Sequence, residues 1–221
     1  MHYKINNILI KTEYAAKSPY QASKNVLKWI ATQDPTNFAL DFGCGKLRYS
    51  TTLARRCRKL TLVDSGVQIN RTQKIGHKVT TVREYVREHL PNARVLSRSQ
   101  FERDKRKYSL AICINVLSAI PSEKSRSKAL RQILRRLTAQ GVCLFVTQYT
   151  NSYFRKAATS PTAQAHLDGW ILITDRGNFY YGVINKQKLE SLLVSHGFCI
   201  RRSWVRGQSV YVEATSRARK E

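Results

Sequence analysis

Residues 40–48 read Leu-Asp-Phe-Gly-Cys-Gly-Lys-Leu-Arg, and residues 60–64 read Leu-Thr-Leu-Val-Asp. The first stretch closes a short apolar strand, Asn37–Asp41, and breaks it with Gly43 and Gly45. A helix is expected to follow from about Leu47 to Cys57, with Leu47, Leu53, Ala54 and Cys57 turned inward. The second stretch is a strand that ends in an acid. Strand, Gly-x-Gly loop, helix and acid-tipped strand form the arrangement that holds an adenosine-bearing cofactor. Glycine lets the backbone pass close to a ligand where a side chain would clash. The helix presents free N–H groups at its start, and the acid accepts hydrogen bonds from ribose hydroxyls. Asp64 lies 19 residues beyond Gly45, close to the ~20 expected of that acid.

Two residues narrow the cofactor. A dinucleotide site needs a third glycine, so that the helix packs tightly and the pyrophosphate reaches its start; Arg48 stands there instead. Asp41, at the head of the loop, offers a pyrophosphate nothing but repulsion. It would favour a cofactor with a cationic sulfonium and an α-amino group.

Working outward, strand and helix signals alternate from about residue 20 to the end, the pattern of a doubly wound α/β fold with helices on both faces. Tyr20–Ala31 has helical spacing, with Val26, Leu27 and Ile30 on one side. Val82–His89 reads as a helix stopped by Pro91, and Arg94–Leu96 as a strand before the charged loop Glu102–Lys107. Ser109–Asn115 is a nearly unbroken apolar run, as in a parallel strand buried on both faces. Pro121-Ser122 opens a helix whose stripe is Ala129, Leu130, Ile133, Leu134 and Leu137. Val142–Thr147 is the next buried strand. Trp170–Thr174 and Asn178–Val183 form two strands around a turn at Asp175-Arg176-Gly177. Asn185 caps a helix ending at His196-Gly197, and Cys199–Val205 and Ser209–Glu213 close the chain.

LDFGCGKLR (Leu40–Arg48) resembles motif I of the class I S-adenosylmethionine (SAM)-dependent methyltransferases, written acid-x-Gly-x-Gly. LTLVD is similar to their motif II, SLAICINVLSAIP (Ser109–Pro121) to motif IV, and Lys128–Thr147 to the stretch leading into the fifth strand. The resemblance spans most of the chain. It implies a Rossmann-like sheet of seven strands, mostly parallel with a reversed last strand. It also implies one SAM-binding methyltransferase domain over residues 1–215. Within it, residues 1–33 would form an N-terminal cap segment and 149–184 an insertion near the acceptor site; 216–221 would be a basic tail.

Carried over position by position, the resemblance places Asp41, Gly43 and Gly45 around the methionine end of SAM and Asp64 on its ribose; Cys44 and Arg48 of the same loop are further candidate cofactor-binding residues. Asn115, at the end of the fourth strand, would face the methyl group. Adenine contacts of the family follow the third strand, which here points to Ser99-Gln100-Phe101 and to Gln100 in particular. Tyr149 and Asn115 are the candidate catalytic residues. Plainer uses stay open: the glycines as a tight turn, Asp64 as a helix cap, Asn115 as a strand-end turn, Cys113 as core.

The acceptor is less legible. Asn115-Val116-Leu117-Ser118 keeps the Asn of an Asn-Pro-Pro-aromatic base-amine motif and lacks the rest. Cys113 lacks the context of a C5-pyrimidine nucleophile, and Asn115 replaces the acid of a ribose 2′-O set. Yet 39 Lys+Arg against 14 Asp+Glu give a net charge of +25, with clusters at Arg55–Lys59, Arg103–Lys107 and Lys124–Arg136. Such a field favours polyanions. The leading expectation is therefore methyl transfer to RNA or DNA. A small-molecule or protein acceptor is the alternative, and a non-catalytic SAM- or nucleic-acid-binding module the third reading. Tyr149, Tyr153 and Phe154 would stack on a base beside Arg155-Lys156, or serve as apolar cover; Tyr14 and Tyr20 would close the cofactor pocket.

The five cysteines show no CxxC pair and no histidines at ligand spacing, so no metal and no disulfide framework is expected. No apolar run approaches the ~18–20 residues of a membrane span. Ile8-Leu9-Ile10 is too short for a signal-peptide core. The expected compartment is the cytoplasm; oligomeric state is left open.

Overall fold

The computed structural model describes residues 2–149, 155, 158–174 and 177–216. Strands are numbered in chain order: hairpin β1–β2 (His2–Ile5, Ile8–Lys11), β3 (Thr36–Phe42), β4 (Cys57–Asp64), hairpin β5–β6 (Gln73–Ile75, Lys78–Thr80), β7 (Ala93–Ser97), β8 (Tyr108–Ile114) and β9 (Leu137–Gln148). Then come β10 (Gln164–His166), β11 (Gly169–Leu172), β12 (Phe179–Gly182), β13 (Phe198–Arg206) and β14 (Ser209–Ser216). Helices are α1 (Lys24–Ala31), α2 (Ser50–Ala54), α3 (Gly66–Asn70), α4 (Val82–His89), α5 (Arg98–Arg103), α6 (Glu123–Arg136) and α7 (Lys186–Ser195).

Seven strands form the main sheet in the order β13-β14-β9-β8-β3-β4-β7. Pairings from β7 to β9 are parallel, whereas β14 runs antiparallel to both β9 and β13. One strand, β14, is thus reversed, as the family resemblance implies. Side chains alternate between the two faces. On β8 and β9, Leu110, Ile112, Val142, Leu144 and Val146 join a core with α1, α2 and α4. Ala111, Cys113, Cys143 and Phe145 join the opposite core with α5, α6 and α7. Both faces are buried, so these strands read as unbroken apolar runs.

Helix starts follow local chemistry. Thr81 and Ser97 each form a capping box, with Glu84 and Gln100; Ser122 and Asn185 cap α6 and α7. Each such cap stabilises its helix by about 1 kcal/mol. Two helices depart from expectation: the one read over Tyr20–Ala31 begins only at Lys24, without a side-chain cap, and the one expected over Leu47–Cys57 is shorter still. The latter shrinks to Ser50–Ala54 because Leu47 is left-handed (φ +63°) and Cys57 already belongs to β4.

The segment between β9 and α7 builds a separate three-stranded sheet, β10-β11-β12. The β1–β2 hairpin packs on it through Ile10, Ile171 and Tyr180, and the Lys11 amide donates to the Asn178 carbonyl at 3.0 Å. Residues 2–17 are thereby held across the carboxyl ends of the main-sheet strands. Among the described residues no helix is long and apolar enough to cross a membrane.

Candidate functional site

Strand order reverses direction between β3 and β8, and the crevice outside the carboxyl ends of strands at such a point is where open α/β sheets bind ligands. A cleft lies there, with about 870 Å³ of empty space including its open mouth. Its floor is the loop after β3. Gly43 and Cys44 both donate their amides to the Val63 carbonyl, at 2.7 and 3.1 Å, and the Gly45 amide donates to Asp64 Oδ2 at 2.8 Å. Gln68 Nε2 donates to the Gly45 carbonyl at 2.9 Å. The loop is thus stapled to β4 and α3. Backbone φ is positive at Gly43 (+83°), Gly45 (+55°) and Leu47 (+63°); burial of the Leu47 side chain holds that residue where a non-glycine seldom sits. A Cβ on Gly43 would lie 2.1 Å from Val116 Cγ2, so only glycine fits.

Two acids meet under this loop. Asp41 is buried, with Ser50 Oγ donating to its Oδ2 at 2.7 Å. Burial pushes its carboxyl up to about 7; the Ser50 bond opposes the shift, Asp64 adds to it and Arg48 opposes it. Burial also raises Asp64, against the amides of Gly45 and Ser65 that its two oxygens accept. Ser65, not Asp64, caps α3. A carboxylate has about four lone-pair sites, so two remain on Asp64 for a ligand. A pair of desolvated acids selects a cationic, hydroxyl-bearing partner.

The cleft brings together Asp41, Gly43, Cys44, Gly45, Arg48, Asp64 and Asn115. Cys44 is buried and its thiol is held protonated by burial and the two acids. Asn115 is left-handed (φ +59°). Its amide donates to the Val146 carbonyl at 2.7 Å, while its buried Oδ1 has no hydrogen-bond partner. A buried polar atom left so costs about 1–3 kcal/mol, and a bound ligand is what would relieve it.

Two expected residues lie elsewhere. Gln100 is exposed and outside the cleft; its Oε1 is taken by the Ser97 amide at 2.8 Å in the α5 capping box and by Arg83. Arg98, which directly follows β7 as the first residue of α5, lines the cleft instead. Its guanidinium lies 5.1 Å from the Phe42 ring centroid and donates to Gln132 Oε1 at 3.1 Å. Tyr149 is also exposed and outside the cleft, its amide donating to the Gln208 carbonyl at 2.8 Å. Tyr14 packs against Gly177 and Tyr20 against His77; neither lines the cleft, whose roof is Tyr3, Thr12, Ala15, Ala16 and Lys17. Tyr153, Phe154 and Lys156 lie outside the described residues. Gln68 and Arg98 escape sequence reading because a glutamine in a helix and an arginine in a basic run look like solvated surface.

A second hollow opens behind Asn115, between α1, the glycine loop and the ends of β8, β9 and β14. It shares Lys17, Arg48, Tyr49, Ile114 and Asn115 with the cleft. Its far wall carries Gln148, Gln208 and Tyr211, the last stacked on Trp204 at 5.2 Å. Among the described residues neither space offers a cysteine nucleophile: Cys44 in the cleft is held protonated, and Cys113 is buried, with burial driving its thiol far above the ordinary range. No cluster of three His, Cys, Asp or Glu that could hold a metal occurs among the described residues. Two adjoining spaces joined at one unpartnered polar atom suit transfer of a group between two ligands.

Known proteins agree with this arrangement. The profile of the methyltransferase domain family matches residues 14–201. The uncharacterized protein YmfD of Escherichia coli K12 is 33% identical over 216 residues, covering 98% of this chain and 96% of that protein. The DhpI–SAH complex superimposes with a TM-score of 0.65 at 14% identity, over 94% of this chain and 92% of that one. The 1,6-didemethyltoxoflavin-N1-methyltransferase of Burkholderia thailandensis, solved with its acceptor and S-adenosylhomocysteine, gives 0.61 at 11% identity, over 92% and 80%.

Proposed function

The chain belongs to the class I SAM-dependent methyltransferases, and from that premise we propose that it methylates a small molecule held in the hollow behind Asn115. The observation that carries this reading is the buried, unpartnered Asn115 Oδ1 where the two spaces join. The solved relative from Burkholderia, whose acceptor is small, supports it.

The residues present suit SAM. Bound SAM supplies an electrophilic methyl on a cationic sulfur. Asp41 takes the α-ammonium, Asp64 accepts the ribose hydroxyls, and the Gly43–Gly45 backbone leaves room for the methionine chain. Arg98 and Phe42 flank the adenine side, where the family resemblance had pointed to Gln100. The roof from residues 2–17 keeps water from the transfer path. Because the displacement is in line, the protein's main contribution is alignment. The described wall of the hollow holds no carboxylate and no histidine, which suits an acceptor that is nucleophilic without a protein base.

Asp41 makes cofactor affinity depend on pH. Its carboxyl is held near 7 in the free fold, above the ordinary 3.8, so between these values the unfolded chain gives up its proton first and the free fold loses stability as pH rises. A bound cation reverses the balance by favouring the carboxylate. SAM affinity is therefore expected to climb by up to about tenfold per pH unit from pH 5 to 7 and then level off. Calorimetric titrations across that range should show the slope in the wild type and none in Asp41→Asn. An equal slope in both would remove Asp41 from the site.

A second reading, a nucleic-acid acceptor, rests on the net charge of +25. Arg58, Lys59, Lys105, Lys107 and Arg135 are exposed at the starts of β4, β8 and β9, the end of the sheet opposite the cleft. Charge placed there suits docking of a polyanion better than presenting a base to Asn115. Incubating the protein with SAM carrying a labelled methyl and with separated RNA, DNA, protein and metabolite fractions decides between the readings. Label is expected in the metabolites; label confined to RNA or DNA would overturn the proposal. Loss of all RNA and DNA binding at ~150 mM salt would in turn remove the second reading.

A further inference from the structure

We propose that the acceptor carries an anionic group, and that Lys17 is the cation that binds it on the wall of the hollow behind Asn115. This rests on the small-molecule reading and names the chemistry of that site.

Asp41 and Asp64 lie in the cofactor cleft; the hollow has no Asp or Glu on its described wall, only Lys17 and Arg48 among charged residues. No ion pair with either cation occurs among the described residues. The two are not equivalent. Arg48 acts on Asp41 across the cleft and stacks on Tyr49 at 5.6 Å, so an acid already offsets part of its charge. Lys17 has no acid acting on it: burial and then Arg48 both lower its ammonium. The protein therefore holds two like charges side by side at the junction.

SAM can satisfy only one of them. Its α-ammonium would go to Asp41 and its single carboxylate to Arg48, the cation that acts on Asp41. Lys17 is left uncompensated, facing a hollow whose other polar groups include hydrogen-bond donors: Gln21, Ser23, Gln148, Gln208 and the Tyr211 hydroxyl. Ser23 Oγ and Tyr211 Oη lie 3.3 Å apart, and Asn25 Nδ2 donates to the same hydroxyl at 3.5 Å. A cation ringed by donors is the complement of a carboxylate or phosphate. Asn115 would then lie between that anchored anion and the transferred methyl.

The test uses the whole protein saturated with S-adenosylhomocysteine, so that the cofactor's own amino and carboxylate groups are in place. Inorganic phosphate and benzoate are titrated at constant ionic strength, with benzyl alcohol as the neutral control, following amide chemical shifts around Lys17 and Asn115. Phosphate or benzoate is expected to bind in the millimolar range and benzyl alcohol at least tenfold more weakly. Lys17→Met should weaken the anion at least tenfold, Lys17→Arg should restore it, and S-adenosylhomocysteine affinity should stay within about twofold in both. If Lys17→Met leaves anion binding intact, or the neutral compound binds as well as the anion, the proposal is overturned. A tenfold loss of S-adenosylhomocysteine affinity with the anion unaffected overturns it differently, by assigning Lys17 to the cofactor carboxylate. Failure of the wild type to bind S-adenosylhomocysteine would instead refute the cofactor site itself.

Discussion

Asp64→Ala is expected to weaken SAM binding at least ~100-fold while leaving the protein folded. A hydrogen bond to a charged acceptor contributes about 1.5–3 kcal/mol, and two ribose hydroxyls on one carboxylate make about 3–6. At ~1.4 kcal/mol per tenfold, that is two to four orders of magnitude in affinity. The loss has a second source in the free protein. Asp64 Oδ2 accepts the Gly45 amide, so alanine also releases one of the staples that shape the glycine loop. Stability should suffer much less than binding, because burial makes the Asp64 charge costly in the empty cleft and alanine removes that cost. Asp64→Asn, which keeps one acceptor oxygen, should fall between. Calorimetric titration with SAM, alongside thermal unfolding, measures both effects. A dissociation constant within threefold of wild type would remove Asp64 from the cofactor site.

Arg126→Ala should be strongly destabilising, by about 3 kcal/mol, because it leaves the buried Asp168 carboxylate with only the Tyr180 hydroxyl and the half-exposed Lys188, whose Nζ lies 3.3 Å away. Arg126 is 4% exposed although it lies on α6 among solvated lysines and arginines. Its Nη1 and Nη2 reach Asp168 Oδ2 and Oδ1 at 2.6 and 2.8 Å, and Nε donates to the Ile120 carbonyl at 2.9 Å. Tyr180 also donates to Asp168. These bonds outweigh burial and hold the Asp168 carboxyl down to about 2. With a depressed value, the stabilisation is complete above the ordinary carboxylate range and lost as pH falls from about 4 towards 2.

For a chain of this size, ~2–4 °C of melting temperature per kcal/mol makes a drop on the order of 10 °C. The double replacement Arg126→Met with Asp168→Leu should recover much of it, since a buried ion pair exchanged for apolar groups is often neutral. A loss below ~1 kcal/mol for Arg126→Ala in denaturant unfolding would contradict this account. The pair matters to the site because Ile120, whose carbonyl Arg126 holds, lines the cofactor cleft. It also ties α6 to the β10–β12 sheet that carries the N-terminal roof.

Much of the architecture could be read directly because its signals are local. Val82–His89 needed only its period and the proline beyond it, and Lys186–Ser195 its asparagine cap and terminal glycine. The glycine loop and Asp64 were legible for the same reason: spacing along the chain is what their chemistry requires. Helix α2 was overestimated because an apolar period continues through Leu47, and periodicity says nothing about the sign of φ. Gln100 lies outside the cleft, its side chain satisfying a helix start, a use that competes with ligand binding in any Ser-x-x-Gln sequence. Tyr149 also lies outside the cleft, because a strand end leaves the direction of the next side chain to its neighbours.

The sequence by itself determined that this is a SAM-dependent methyltransferase with a seven-stranded, doubly wound sheet, since both follow from alternating apolar runs and a spaced loop motif. Tertiary structure alone decided which residues share the site. Lys17 reaches Arg48 only because the β1–β2 hairpin anchors on the β10–β12 sheet, and Asn115 joins two spaces only because β8 lies next to β3. Contacts between segments distant in sequence depend on how several elements pack at once, and no single stretch carries that information.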